Sequence, residues 1–564
     1  MSEATKPGFS LLDEPWILAR FHDGQTREIS LRDVFAKAHD IVDLGGEVPT
    51  QAFAIMRLLL AVLHSALRPV GNPDQVWKVI WESDDPLLVL VDGYLENYRN
   101  RFDLLDAVRP FYQVADLSTA SSEISSLDKL IADVPNGEPF FTTRLKSGVD
   151  RVSFAEAARW VVHCQAFDAS GIKSGAVGDD RVKGGRGYPI GVAWAGSLGG
   201  LLIEGDNLRK TLLLNLALGD NHGEPLDEKD KPLWERPPLG PEEELRPGAP
   251  TGPADLYTWP SRRIRLIHDE EGVFGVLISN GDPLKPQLVQ GIHNLEPMTA
   301  WRRSETQEKA LKTGHHIYMP LTHQPDRAMW RGLSALLPQG IREAQYKDGS
   351  KNLPALSFEW VGRVSDGGTL PPAPLRTRAI GVEYGNMSAT VAEIIDDSLS
   401  ISSVLLAQQG EQLASLALGA VGQTDAAVFQ LWVLARNLTI AKGGESDGPG
   451  DRIREQAYFA LDSPFRAWLS KLGTATDVLD AREEWYSEAR QTLIGLARQA
   501  VDASGPSAWA GRINSRSGKH VNSAEAFGWF LREMYRALPD GRAPEKPVQD
   551  EEPVQAKENV EVAR

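Results

Sequence analysis

The run from Phe167 to Gly191, FDASGIKSGAVGDDRVKGGRGYPIG, cannot be the interior of a helix or a sheet. Seven glycines interrupt it, at 171, 175, 178, 184, 185, 187 and 191, and a glycine in either interior costs roughly 0.5–1 kcal/mol relative to alanine. The run is therefore a loop whose backbone can take positive φ and can be approached closely by another molecule. Four cations, Lys173, Arg181, Lys183 and Arg186, stand against three aspartates, which suits a phosphate-bearing partner. The spacing excludes known phosphate loops. No glycine lies five residues before the Gly518-Lys519 pair, and Gly185, Gly187 and Gly191 miss the last interval of GxGxxG. Taken alone, the run is equally a long surface loop.

Regular elements are expected on both sides. FSLLDEPWILARFHDGQTREISL predicts a hairpin turning at Asp23-Gly24, then a helix over about Leu31 to Asp40. Pro49-Thr50 opens a second helix with Phe53, Met56, Leu60, Leu63 and Leu67 on one face. Ser153 caps a helix that runs directly into the glycine loop, and a further helix is expected over Asn207 to Leu218. The Asp269 to Gly272 turn predicts a hairpin with Arg262, Arg263 and Arg265 at its start. Strand-like segments follow near Leu353 to Val364, and a short strand, RAIGVEYGN, turns at Gly385-Asn386. From Ala392 the pattern reads as helical, with Trp485, Ala489, Leu493, Leu496 and Ala500 on one face and Phe527, Leu531, Met534 and Leu538 on another. The expected class is α+β. A mixed N-terminal domain (1–364) precedes a linker and strand-turn (365–391), a C-terminal four-helix bundle (392–539) and a disordered tail (540–564).

The 564 residues carry a net charge of −17, which argues against a free-standing, non-specific nucleic-acid binder, because phosphate neutralisation supplies most of that affinity. It leaves room for local basic loops on a subunit held to nucleic acid by other proteins. The single cysteine, Cys164, excludes an internal disulfide and a multi-cysteine zinc site and fits a reducing compartment. With no signal peptide and no apolar span in the sequence, a cytoplasmic protein is expected. No HExxH occurs. Two His-Asp pairs, His39-Asp40 and His268-Asp269, leave a metal-dependent nuclease or hydrolase as the catalytic alternative.

The blocks LLDEPW (11–16), RLLLAVLHSAL (57–67), RFDLLDAVRPFYQ (101–113), AARWVVHCQAFDASGIKSG (157–175), LRKTLLLNL (208–216) and DLYTWPSRRIRL (255–266) resemble, in this order, the CasA family. Its members are the large subunit of the type I-E CRISPR interference complex, Cascade. The resemblance implies a non-enzymatic, cofactor-free subunit that reads the protospacer-adjacent motif of double-stranded DNA from the minor groove. It also implies help in opening the duplex for R-loop formation and recruitment of a helicase-nuclease. This division of labour matches other RNA-guided systems, where the protein reads the motif and base pairing reads the sequence.

Carried over residue by residue, the resemblance assigns Ala169, Ser170, Gly171, Lys173 and Lys285 to the minor groove. It assigns Gly385, Asn386 and Met387 to a wedge that inserts at the end of the motif duplex. Methionine stands where a relative has glutamine, and an apolar side chain suits insertion between base steps. Phe140, Phe141, Thr142, Thr143 and Arg144 occupy the place of a loop that docks near the 5′ handle of the guide RNA and a neighbouring subunit. The four-cysteine metal site of some relatives has no counterpart here. Without the resemblance, Lys285 is an ordinary exposed lysine and Met387 a minor packing residue.

Overall fold

The computed structural model describes residues 8–68, 71–121, 124–134, 149–220, 223–337, 351–444, 448–513 and 518–541. The Phe140–Arg144 segment and nearly all of the expected tail lie outside the described residues. The chain divides into two compact units. One comprises Met1–Val421 with Phe465–Val478, the other Gly422–Pro464 with Leu479–Arg564.

The first unit is built around the helix Pro49–Ala66. The sequence predicts an amphipathic helix, but every residue from Thr50 to Ser65 is buried, as befits a helix enclosed on all sides. Its one internal cation, Arg57, is 2% exposed and makes a two-pronged pair with fully buried Glu296, both bonds 2.8 Å. Trp194 donates its indole N–H to the same carboxylate at 2.8 Å, and the Tyr257 ring lies 4.4 Å from the guanidinium.

The helix Phe154–Phe167 packs beside it, capped by Ser153, whose hydroxyl accepts the Glu156 N–H at 3.1 Å. Buried Arg159 ties this helix to the N-terminal strands by bonding the Trp16 carbonyl, Glu28 and Glu47. Those strands form a sheet in the order Thr26–Ile29, Ile17–Phe21, Ile41–Leu44. The predicted hairpin is present, although the helix after it stops at Ala36.

Two further β structures position the loop. Arg262–Asp269 pairs antiparallel with Gly272–Asn280 about the expected turn. Pro374–Tyr384 pairs with Val391–Ser402 on one side and Gly200–Glu204 on the other. The structure corrects two expectations here. Residues 391–402 are strand, not the start of a helical region, because Leu399 and Ile401 alternate inward and every position except Ala392 finds a ladder partner. Residues 356–366 are a helix, Leu356–Asp366, because Leu356, Trp360, Val361 and Val364 bury one face at helical spacing. The 365–374 segment, expected as a linker, closes that helix and enters Pro374–Tyr384 within the first unit, with Leu370 buried.

The second unit is helical. It takes in parts of Glu411–Lys442, Gly448–Lys471 and Val478–Asp502, together with Ser523–Ala537. Trp485, Ala489, Leu493 and Ala497 are its buried stripe, with Phe530, Met534 and Leu538 from the last helix. Buried Trp485 donates to Thr424 Oγ1 at 2.9 Å.

Replacing Glu296 with Gln leaves Arg57 buried without its counter-charge. The expected loss of stability is about 3–5 kcal/mol, measured by urea unfolding followed through tryptophan fluorescence.

Candidate nucleic-acid interface

The loop begins where the helix Phe154–Phe167 ends. Asp168 closes the helix, its N–H bonding the Cys164 carbonyl at 3.1 Å. Two cations then converge on its carboxylate, Lys173 at 2.6 Å and Arg262. Burial would raise the Asp168 pKa, but Lys173 and Arg262 outweigh it and hold the carboxyl below its ordinary range. Gly171 takes φ +126°, a conformation other residues rarely adopt.

Ser170 donates its backbone N–H to the Ser388 carbonyl at 2.8 Å. The structure thus brings together two of the segments singled out from sequence, the loop start and the strand-turn 218 residues later (388 minus 170). A second bond fixes the same approach, from Tyr384 Oη to the Phe167 carbonyl at 2.7 Å. In the turn itself Gly385 donates to Thr390 and Ser388 to Gly385, each at 2.9 Å. Asn386 is exposed, and Met387 stands out at the tip, 86% exposed with φ +55°.

The loop's four cations fall into two classes. Lys173 is held by Asp168, and Arg181 by Asp179, Glu243 and the Gly281 carbonyl. Lys183 and Arg186 flank a tight turn whose central residues, Gly184 and Gly185, have φ +58° and +71°. Both are exposed, and neither forms an ion pair among the described residues. Lys285 is exposed likewise, opening the short turn Pro286–Leu288. Among the described residues no hydrogen bond or ion pair joins Lys285 to the loop. It lies five residues beyond Asn280, whose side chain donates to the Tyr188 carbonyl at 2.6 Å.

Sequence reasoning missed the supports of this site, which are Asp168, Arg262, Tyr384 and Ser388. The run of arginines at 262–265 was visible, but only as the start of a hairpin. Arg262 and Arg263 are 1% and 0% exposed.

Behind the loop is a cavity of about 100 Å³ lined by residues that include His163, Cys164, Asp168, Lys173 and Ala389. Burial pushes the His163 imidazole down to about 4 and the Cys164 thiol well up, so neither is charged at neutral pH. Of the two His-Asp pairs, Asp269 is bound by Arg151 through hydrogen bonds that hold its carboxyl at about 2. Among the described residues no group of three or more His, Cys, Asp or Glu could hold a metal ion, and no helix is long and apolar enough to cross a membrane.

What these residues form is a rigidly backed surface that offers main chain and one apolar tip, set on a mixed α and β scaffold. The chain belongs to the family of CRISPR-associated protein Cse1, also called CasA, whose model matches residues 10–496. It is 44% identical to Thermobifida fusca Cse1, whose crystal structure it matches with a TM-score of 0.84 over 95% of this chain and 99% of that one. It is 28% identical to the CRISPR-associated protein CasA/Cse1 of Thermus thermophilus, over 93% of this chain and 98% of that protein. A chain from a CRISPR RNA-guided surveillance complex shares the fold, with a TM-score of 0.68 at 18% identity over 94% of this chain and 99% of that one.

His163 also makes a testable contribution to stability. In the unfolded chain it titrates near 6.5, so above that pH both states leave it neutral and its contribution is full. As pH falls from 6.5 to about 4 the unfolded state takes up the proton first and stability declines. Urea titrations of His163→Gln over this window should show a slope shallower than wild type by about 1.4 kcal/mol per pH unit.

Proposed function

We propose that the chain is the DNA-recognition subunit of an RNA-guided CRISPR interference complex, Cascade, and is not itself an enzyme. In this reading it works in the cytoplasm with the other Cascade subunits and the guide RNA, and inspects the protospacer-adjacent motif of double-stranded DNA. The observation that carries the reading is the bond from Ser170 N–H to the Ser388 carbonyl. It places a narrow loop start beside an exposed methionine-tipped turn.

Each part has a physical task. Ala169, Ser170 and Gly171 have side chains small enough for their backbone to enter a minor groove only about 6 Å wide. Met387 lies against the end of the motif duplex and unstacks the next base step, with Gly385 shaping the turn and Asn386 supplying a polar edge. Lys285, with Lys183 and Arg186, meets phosphates. Lys173 joins them when a phosphate competes with Asp168 for its ammonium group. Phe140–Arg144 docks near the 5′ handle of the guide RNA. Once the duplex is open and the R-loop formed, the subunit recruits the helicase-nuclease that cuts. A net charge of −17 keeps affinity for wrong DNA low, so that these few contacts decide residence.

The test is target-duplex binding by the reconstituted complex, with and without this chain, on correct and altered motifs. The Asn386→Ala/Met387→Ala variant is expected to weaken binding to intact duplex about tenfold, or roughly 1.4 kcal/mol. A target already unpaired beside the motif should restore it. Lys285→Ala is expected to lower the slope of log affinity against log salt by about 0.9. Motif-dependent binding that does not need this chain would sink the reading.

A further inference from the structure

One buried side chain closes both ends of the glycine run. Arg262 opens the strand Arg262–Asp269 and is 1% exposed. Its Nη2 donates to the carbonyls of Ala169 at 3.1 Å, Asp168 at 3.3 Å and Gly191 at 2.9 Å. Its Nε bonds the Asp168 carboxylate, and its Nη1 donates to Ser261 O at 2.9 Å. The arginine backbone is itself fixed. Its N–H donates to Gln165 Oε1, and its carbonyl accepts from Gln165 Nε2, both at 2.9 Å. The run therefore leaves and returns through one guanidinium, locked to the helix that feeds it.

No other side chain type reproduces this. Guanidinium is a planar fork with five donors, whereas an ammonium is a point charge on a flexible stem. Conformation matters more here than at a side-chain contact. The minor groove offers a degenerate pattern, distinguished mainly by the guanine N2 amino group. A loop that reads it with backbone and small side chains discriminates by fixed position, since a loop free to shift would yield to the wrong base pair. Charge does not supply this. The exposed cations Lys183, Arg186 and Lys285 are not bonded to Arg262 and attract any phosphate backbone equally.

We propose that Arg262 is the positioning residue that sets motif discrimination, acting through the Ala169 and Gly191 carbonyls and touching no DNA. This inference rests on the recognition reading above. It separates two quantities that an interface normally loses together. Discrimination depends on Arg262, and non-specific attraction does not.

The experiment uses the assembled complex carrying Arg262→Lys, which keeps the charge and loses the fork. Two binding readouts are taken, the affinity ratio between correct and altered motifs and the slope of affinity against salt. Hydrogen exchange at the amides of residues 169–175 is measured on the free full-length chain. The expected result is a ratio at least tenfold smaller, an unchanged salt slope, and faster exchange at the Ser170 amide. Faster exchange with an unchanged ratio overturns the inference while leaving the recognition reading intact, and so does a change in salt slope equal to the loss of ratio. A wild-type complex with no motif discrimination overturns both. Should the lysine variant not fold, the wild type still decides. A Ser170 amide that exchanges as fast as an unprotected one shows that nothing holds the loop in advance, and the inference fails.

Discussion

The pair between Arg57 and Glu296 is the interaction on which the first unit depends. Burying two opposite charges is unfavourable unless their geometry is close to ideal and their remaining hydrogen-bonding capacity is met. Here both oxygens of Glu296 meet the guanidinium, Trp194 adds a third donor, and the Met298 N–H a fourth at 3.3 Å. On the arginine side the Leu256 carbonyl and the face of Tyr257 complete the shell. The pair therefore joins the central helix, the segment that follows the glycine loop and the 292–298 turn at one point. From Trp194 it is three residues back to Gly191, whose carbonyl Arg262 holds. A core ion pair and a surface loop are thus linked by a short chain of fixed groups.

Arginine is used in this way repeatedly. Arg159 gathers the N-terminal hairpin onto the loop helix, Arg181 braces the loop's middle, and Arg263 bonds the Gly240, Pro260 and Glu242 carbonyls together with Asp282. Each is a planar, permanently charged donor set that meets several acceptors at once, and Arg263 in this way satisfies three carbonyls of irregular backbone. The carboxylates that pair with these arginines, Glu296 and Asp282 among them, are buried alongside, so the interior takes up charge of both signs.

Elements governed by local rules were legible in the sequence. The Asp269 to Gly272 turn, the Ser153 cap and the Pro49 helix start each depend on a few adjacent residues, and each is present. The glycine loop was legible because glycine density has no other reading. What failed depends on distant partners. Residues 391–402 become strand because Pro374–Tyr384 is there to pair with them, and Arg262 and Arg263 are buried because irregular backbone surrounds them. The contact between Ser170 and Ser388 left no local signal at all. Glycine density marked one segment and the Gly385-Asn386 turn the other, and neither the residues nor the resemblance implied that they touch.

That contact also accounts for the unusual backbone at the tip. Met387 and Ser388 both take φ +55°, a left-handed conformation that costs a non-glycine residue roughly 1–2 kcal/mol. Such geometry persists only where the surroundings over-determine it. The turn's own bonds from Gly385 and Ser388 constrain it from within, and the Ser170 N–H meets the Ser388 carbonyl from outside. The dependence runs both ways, because without the turn the Ser170 N–H would be buried and unpaired, and the loop start would lose the partner that fixes its height. Loop and tip are therefore one conformational unit. A substitution confined to either will be felt at the other, even where it removes no group that meets a ligand.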